Sequence, residues 1–211
     1  AVAGWLYSAK TPVLEPTTDT LGTASSTVSG ATASSTPMTQ AVVVDEKPSF
    51  PINKNDRIVS WNFKGAYTGD DTLIAQANAR IDHSMNLLGK GQYDDYDLYL
   101  SIGNDDNLQG DGKGAYEYFN RSISIHPKKG LAYANLGNLM DELGAYYTAA
   151  DAYAKAVAVE PGMFEYHVER LTYLTRQFPK DNARITAALT DANKQFGDNA
   201  SFLAIEAQWL A

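Results

Sequence analysis

Residues 131–161 read LAYANLGNLMDELGAYYTAADAYAKAVAVEP, and residues 99–127 read YLSIGNDDNLQGDGKGAYEYFNRSISIHP. Laid one above the other at an offset of 34, the two stretches agree by residue type. Tyr99 meets Tyr133, Ile102 meets Leu136, Gly103 meets Gly137 and Asn104 meets Asn138. Gly110 meets Gly144, Ala115 meets Ala149, Phe119 meets Tyr153, Ile123 meets Val157 and Pro127 meets Pro161. A fixed period of this length is the mark of a repeated supersecondary unit. Each residue type has a physical role in a pair of packed helices. Gly137 lets the second helix approach closely, and Gly144 makes the turn between the two. Ala149 is small where the helices cross, Tyr153 fills the space beside it, and Pro161 stops the second helix.

These positions are the signature positions of the tetratricopeptide family, which residues 130–163 resemble closely and residues 96–129 resemble well. The first copy departs at Asp106 and Gly112, where the second has Met140 and Tyr146. A third, degenerate unit is expected over about 164–197, with Leu171, Leu174, Ala187 and Leu189 keeping an apolar face. Its glycine pair is missing and Phe178-Pro179 intervenes. Gly197-Asp198-Asn199 opens a last helix over 200–210, of the kind that caps such arrays. Upstream, Asp70 or Asp71 caps a helix running through Ile74, Ala77, Ile81, Met85 and Leu88, which Gly89 and Gly91 end. The resemblance covers roughly residues 70–211. It implies a mainly α fold, a helical-hairpin array or α-solenoid, and a role in holding other protein surfaces.

The first 66 residues have a different character. Over 1–40 the chain is an extended Ser/Thr-rich arm, with charge only at Lys10, Glu15 and Asp19. Such a stretch cannot bury enough apolar surface to fold alone. Its hydroxyls at Thr17, Thr18, Thr20, Thr23, Ser25, Ser26, Thr27 and Ser29 are expected acceptors for O-linked glycans, as in mucin-like stalks. The opening AVAGWLYSAK resembles the interfacial end of a membrane span or the stub left by signal processing. From these features we expect an extracellular or cell-envelope setting. Over 41–66, the β-branched run Val42-Val43-Val44 and the run Arg57–Phe63 predict two short strands or an extended strap, punctuated by Pro48, Pro51 and Asn55. The expected domain organisation is therefore an arm at 1–40, strands or strap at 41–66, and the helical domain at 67–211. Trp5, Leu6, Tyr7, Val42, Val43, Val44, Trp61 and Phe63 are the residues expected to dock the arm on copies of the same chain.

The net charge of −8 argues against a nucleic-acid partner, because phosphate binding needs clustered Lys and Arg. No cysteine is present, so there is no thiolate nucleophile and no Cys-ligated metal. No cofactor is expected. Asp105, Asn107 and Gln109, with Gly110, imitate the start of a calcium loop, but Tyr116 stands where the bidentate Glu is required. His83, His126 and His167 show no ligand spacing, and Glu165 with Glu169 reads as a solvated face. Asn120-Arg121-Ser122 and Asn199-Ala200-Ser201 match the N-glycan pattern. Tyr93, Tyr96, Tyr99, Tyr116 and Tyr118 cluster, most simply for packing.

The resemblance also implies a partner-binding groove. In chaperone-binding members, Asn residues directly after the helix-A glycine help grip a peptide carboxylate. Asn104 and Asn138 occupy that position, and Leu100 stands where the first Lys would be. Without those cations a carboxylate would be poorly held, whereas neutral amides can still bond an extended backbone. The groove residues expected to meet a partner are Asn104, Asn138, Leu100 and Asp141.

Overall fold

A computed structural model of the chain describes residues 48–211. It is mainly helical: among the described residues there are eight helices and no named strand. They are α1 Asp71–Leu87, α2 Asp95–Gln109, α3 Gly112–Ile125, α4 Leu131–Glu142, α5 Tyr146–Val159, α6 Phe164–Gln177, α7 Asn182–Phe196 and α8 Ala200–Leu210. Each helix packs against the next in sequence, and α8 also touches α6.

The 34-residue correspondence has a physical counterpart at two helix crossings. A Cβ on Gly103 of α2 would lie 2.7 Å from the Phe119 ring of α3. A Cβ on Gly137 of α4 would lie 2.9 Å from the Tyr153 ring of α5. In both pairs one helix gives up its side chain so that an aromatic ring of the next can sit against its backbone. Ala115 and Ala149, on the ring-bearing helices, are fully buried. Ile102, Phe119, Leu136, Leu139 and Met140 complete a core from which solvent is excluded.

The later helices use the pattern with two changes. Leu171, Leu174 and Leu189 are buried, but Ala187 is exposed. The inward face of α7 is instead Ile185, Ala188, Leu189 and Ala192, the 3.6-residue stripe that Ala187 falls just outside. The missing glycine pair is offset by a cluster of aromatic rings: Phe164, His167, Phe196 and Phe202 join α6, α7 and α8 with centroids 5.0–6.4 Å apart. Phe178, in the interruption itself, packs on Tyr147 and Tyr173. In α1 the buried face is carried by Ala77 and Ser84, while Met85 is exposed rather than inward.

The second β-branched run is not a strand. Residues 48–66 are an extended strap, and among the described residues its only β-type pairing is the isolated bridge between Asn62 and Asp111. The strap follows the helices instead of pairing with a sheet, because helix N-termini and a turn offer its backbone the partners a second strand would have supplied. The Val42–Val44 run, Trp5, Leu6, Tyr7 and the Ser/Thr acceptors lie outside the described residues.

Overpacking tests the crossing geometry. Ala149→Leu inserts three heavy atoms where no space remains, and should cost about 1–3 kcal/mol. We expect a lower thermal midpoint by circular dichroism, and an unchanged midpoint would contradict the crossing.

Candidate interaction site

The strap is read by the helices residue by residue. Phe50 is held on both sides of its backbone: its N–H donates to Asn120 Oδ1 at 2.6 Å, and its carbonyl accepts from the Tyr116 hydroxyl at 2.9 Å. Its ring meets Tyr133 edge-on, with centroids 5.6 Å apart. Three residues on, the Asn53 N–H donates to Thr148 Oγ1 at 2.9 Å, and its amide donates to Asp151 at 2.6 Å. Three further on, Asp56 takes the N–H of Tyr147 at 3.1 Å, the N–H of Thr148 at 2.6 Å and the Thr148 hydroxyl at 2.7 Å. These are the free N–H groups of the first turn of α5. Helix α5 has Ala145 at its N-cap and no side-chain cap within its own segment. Asp56 therefore does for α5 what Asp111 does for α3, where Oδ1 accepts from Gly114 N–H at 3.0 Å. A carboxylate there also meets the positive end of the helix dipole.

The strap then crosses to α3. Gly112 N–H donates to the Trp61 carbonyl at 2.8 Å, Phe63 N–H to the Gly110 carbonyl at 3.2 Å, and Tyr67 N–H to the Leu108 carbonyl at 2.9 Å. The Trp61 ring packs on Tyr116 at 5.3 Å. A Cβ on Gly112 would lie 2.5 Å from the Trp61 carbonyl oxygen, so the glycine that departs from the repeat is the one the strap needs. Trp61 and Phe63, expected to dock on other copies, thus meet their own chain here. Asn120, a candidate N-glycan acceptor, is 6% exposed, and its Nδ2 is spent on the Tyr116 carbonyl at 2.9 Å.

A second polar feature runs across the first helices of the pairs. Asn135 Nδ2 donates to Asn104 Oδ1 at 2.8 Å, joining α4 to α2. One turn along α4, Asn138 Oδ1 accepts from the Tyr153 hydroxyl at 2.7 Å. One turn further, Asp141 accepts from Arg176 and, at 2.9 Å, from Gln177 of α6. Asn135, Asn138 and Asp141 lie three residues apart and share one helix face. Leu100 does not belong to this row. It is 1% exposed, a core residue that no partner can reach.

The calcium-like segment is not a loop. Asp105, Asn107 and Gln109 lie inside α2, where helical spacing scatters alternate residues around the axis. Asp105 forms a two-pronged pair with Arg80 of α1. Glu165 and Glu169 are not an ordinary solvated face either. Glu169 Oε2 is buried without a hydrogen-bond partner, and burial, with Glu165 adding repulsion, raises its carboxyl to about 7. Asp106 rises to about 7 through burial and then through Asp111, Asp105 and Glu117.

Among the described residues no helix is long and apolar enough to cross a membrane. No protein-family model matches the chain, and a search of curated proteins finds no matching relative.

The strap contacts of Phe50, Asn53, Asp56, Thr148 and Asn120 were not picked out in sequence. One signal was present: the copy at 99–127 has Asp111 where the copy at 133–161 has Ala145, so α5 lacks its cap.

Two experiments follow. Asp56→Ala removes the cap of α5 and should cost about 1–2 kcal/mol, with Asp56→Asn recovering part of it. Chemical denaturation checks this, and equal stability of wild type and Asp56→Ala would contradict the cap. The raised carboxyls give a pH dependence. Both hold their proton more tightly folded than unfolded, so their contribution favours folding below the ordinary carboxylate range and fades as pH rises through about 7. Glu169→Gln should therefore raise the thermal midpoint by about 2–4 °C at pH 8 and leave it near wild type at pH 5. The same change at both pH values would contradict the burial argument.

Proposed function

We propose that this chain is a non-enzymatic structural protein that assembles with copies of itself. In this reading it is a subunit of an extracellular or cell-envelope assembly such as a filament. Its body is a tetratricopeptide-type helical-hairpin array, supported by the 34-residue correspondence and the paired Gly103–Phe119 and Gly137–Tyr153 crossings. Its N-terminal arm docks on neighbouring copies and carries O-linked glycans.

The observation that carries the reading is the strap. The helical surface of this protein takes an extended peptide chain, using backbone bonds, an aromatic contact and a helix cap. Surfaces that bind extended segments in this manner link subunits when the segment comes from another copy. The sequence offers no nucleophile–base pair and no phosphate loop that would argue for catalysis. The amide row fits a peptide-binding adaptor less well, because Asn104 and Asn138 already spend their carbonyl oxygens inside the fold.

The strap determines how the reading is tested. A chain beginning at Tyr67 would lose the cap of α5, so the informative truncation begins at Pro48 and keeps it. We expect that truncation to retain the helical circular dichroism of the full chain and to be monomeric by light scattering, while the full chain forms larger particles. If the full chain is monomeric too, self-assembly fails and an envelope-tethered adaptor takes its place; if both chains form particles, the arm is not what docks. Intact mass tests the glycans: a natively produced chain should exceed its sequence mass of 22.9 kDa.

A further inference from the structure

The strap is two hydrogen-bonded pieces joined by one that makes no hydrogen bond to the helices, in which Ile58 is half-buried. Residues 50–56 are held by α3, α4 and α5 through Asn120, Tyr116, Tyr133, Thr148, Asp151 and the first turn of α5. Residues 61–67 are held by the α2–α3 turn through the carbonyls and N–H groups of Leu108, Gly110 and Gly112. Between them, residues 57–60 make no hydrogen bond to the helices among the described residues. The Ser60 hydroxyl bonds only to Asn62, and Val59 is 91% exposed.

We propose that residues 48–56 are an exchangeable key: in the assembled protein they seat on the α3–α5 surface of a neighbouring copy, while residues 61–67 stay on their own α2–α3 turn. The inference rests on the self-assembly reading and adds a second contact to the arm's: the key exchanges only between copies that the arm already holds together, so a chain beginning at Pro48 closes its key on itself.

Three physical points support it. First, the seat is incomplete without a donor, because α5 has no cap of its own and Asp56 must come from some copy. Second, the contacts are the same whether the key arrives from the same chain or another. Exchange therefore changes the connection and not the bonding, which is the condition for segment swapping between identical subunits. Third, the four residues between span up to about 14 Å when extended, so they can redirect the key without disturbing the second anchor. The occupant is defined by chemistry on both sides: an aromatic, an amide and a carboxylate at successive intervals of three, each matched by its own partner in the seat. Phe50, Asn53 and Asp56 of a second copy supply that order.

The chain has no cysteine, so introduced thiols are unique. Asn53→Cys and Asp151→Cys place one thiol on the key and one on the seat, and leave Asp56 and Phe50 intact. The two single variants, each of unchanged helicity, are mixed under assembling conditions and treated with a short bis-maleimide. The same sample is followed by light scattering. We expect a covalent heterodimer well above the dimer formed by either variant alone, and a ladder of multimers from the double variant N53C/D151C. If large particles form but the double variant cross-links only within single chains and the mixture gives no heterodimer, the key is not exchanged and the assembly uses other contacts. If no particles form, the self-assembly reading has failed and this inference falls with it.

Discussion

A helix whose first turn lacks a polar side chain must find another acceptor for its free N–H groups, and α5 finds it in Asp56. This requirement organises much of the molecule. It brings the strap across the surface of α3 and α5. It places Asn53 against Thr148 and Phe50 between Tyr116 and Asn120. Beyond residues 57–60, the strap's second anchor demands a glycine at 112, where the second repeat of the chain carries Tyr146. Thr148, fully buried, is the shared point: its hydroxyl accepts from Asn53 and donates to Asp56, while its own N–H is capped. A buried polar group satisfied on every side by an extended segment binds that segment firmly, because losing the segment would leave several groups unpaired at once.

The helical body rests on a simpler constraint. Two helices come closest where one presents no side chain, and at two crossings among the described residues an aromatic ring is seated on such a glycine, Phe119 on Gly103 and Tyr153 on Gly137. Past α5 the device is absent, and packing passes to rings. Phe164, His167, Phe196 and Phe202 fill the space that a glycine-seated aromatic fills earlier. Helix α6 also holds two buried polar atoms without a hydrogen-bond partner among the described residues, His167 Nδ1 and Glu169 Oε2.

The helices were legible because their signals are periodic and local. The boundaries of α8, the cap at Asp70 and the exchange of roles between Gly137 and Tyr153 follow from spacing and residue size alone. Ala187 was misplaced because a single alanine carries little information about which side of a helix faces in, and Ile185 and Ala188 decided the matter. Leu100 was misplaced for a different reason. Its position was judged by a family's cation pattern, whereas a leucine at that point simply goes to the core. The strap was half legible. Its β-branched residues and prolines indicate an extended backbone, but nothing local tells whether that backbone pairs with a strand or with helix ends. The answer lay 89 residues downstream, in an alanine at 145 where an aspartate would have closed the helix. Long-range polar contacts of this kind are read from a sequence only by asking which groups elsewhere remain unsatisfied.

The central claim is that residues 50–56 are bound by the helices as a ligand would be, with Asp56 as the decisive contact. Amide hydrogen exchange in the full chain tests it at the atoms concerned. The N–H groups of Tyr147 and Thr148 are predicted to be protected in the wild type and to lose that protection in Asp56→Ala, while the N–H of Gly114, capped by Asp111, is unchanged. Equal protection at Tyr147 and Thr148 in both chains would contradict the account.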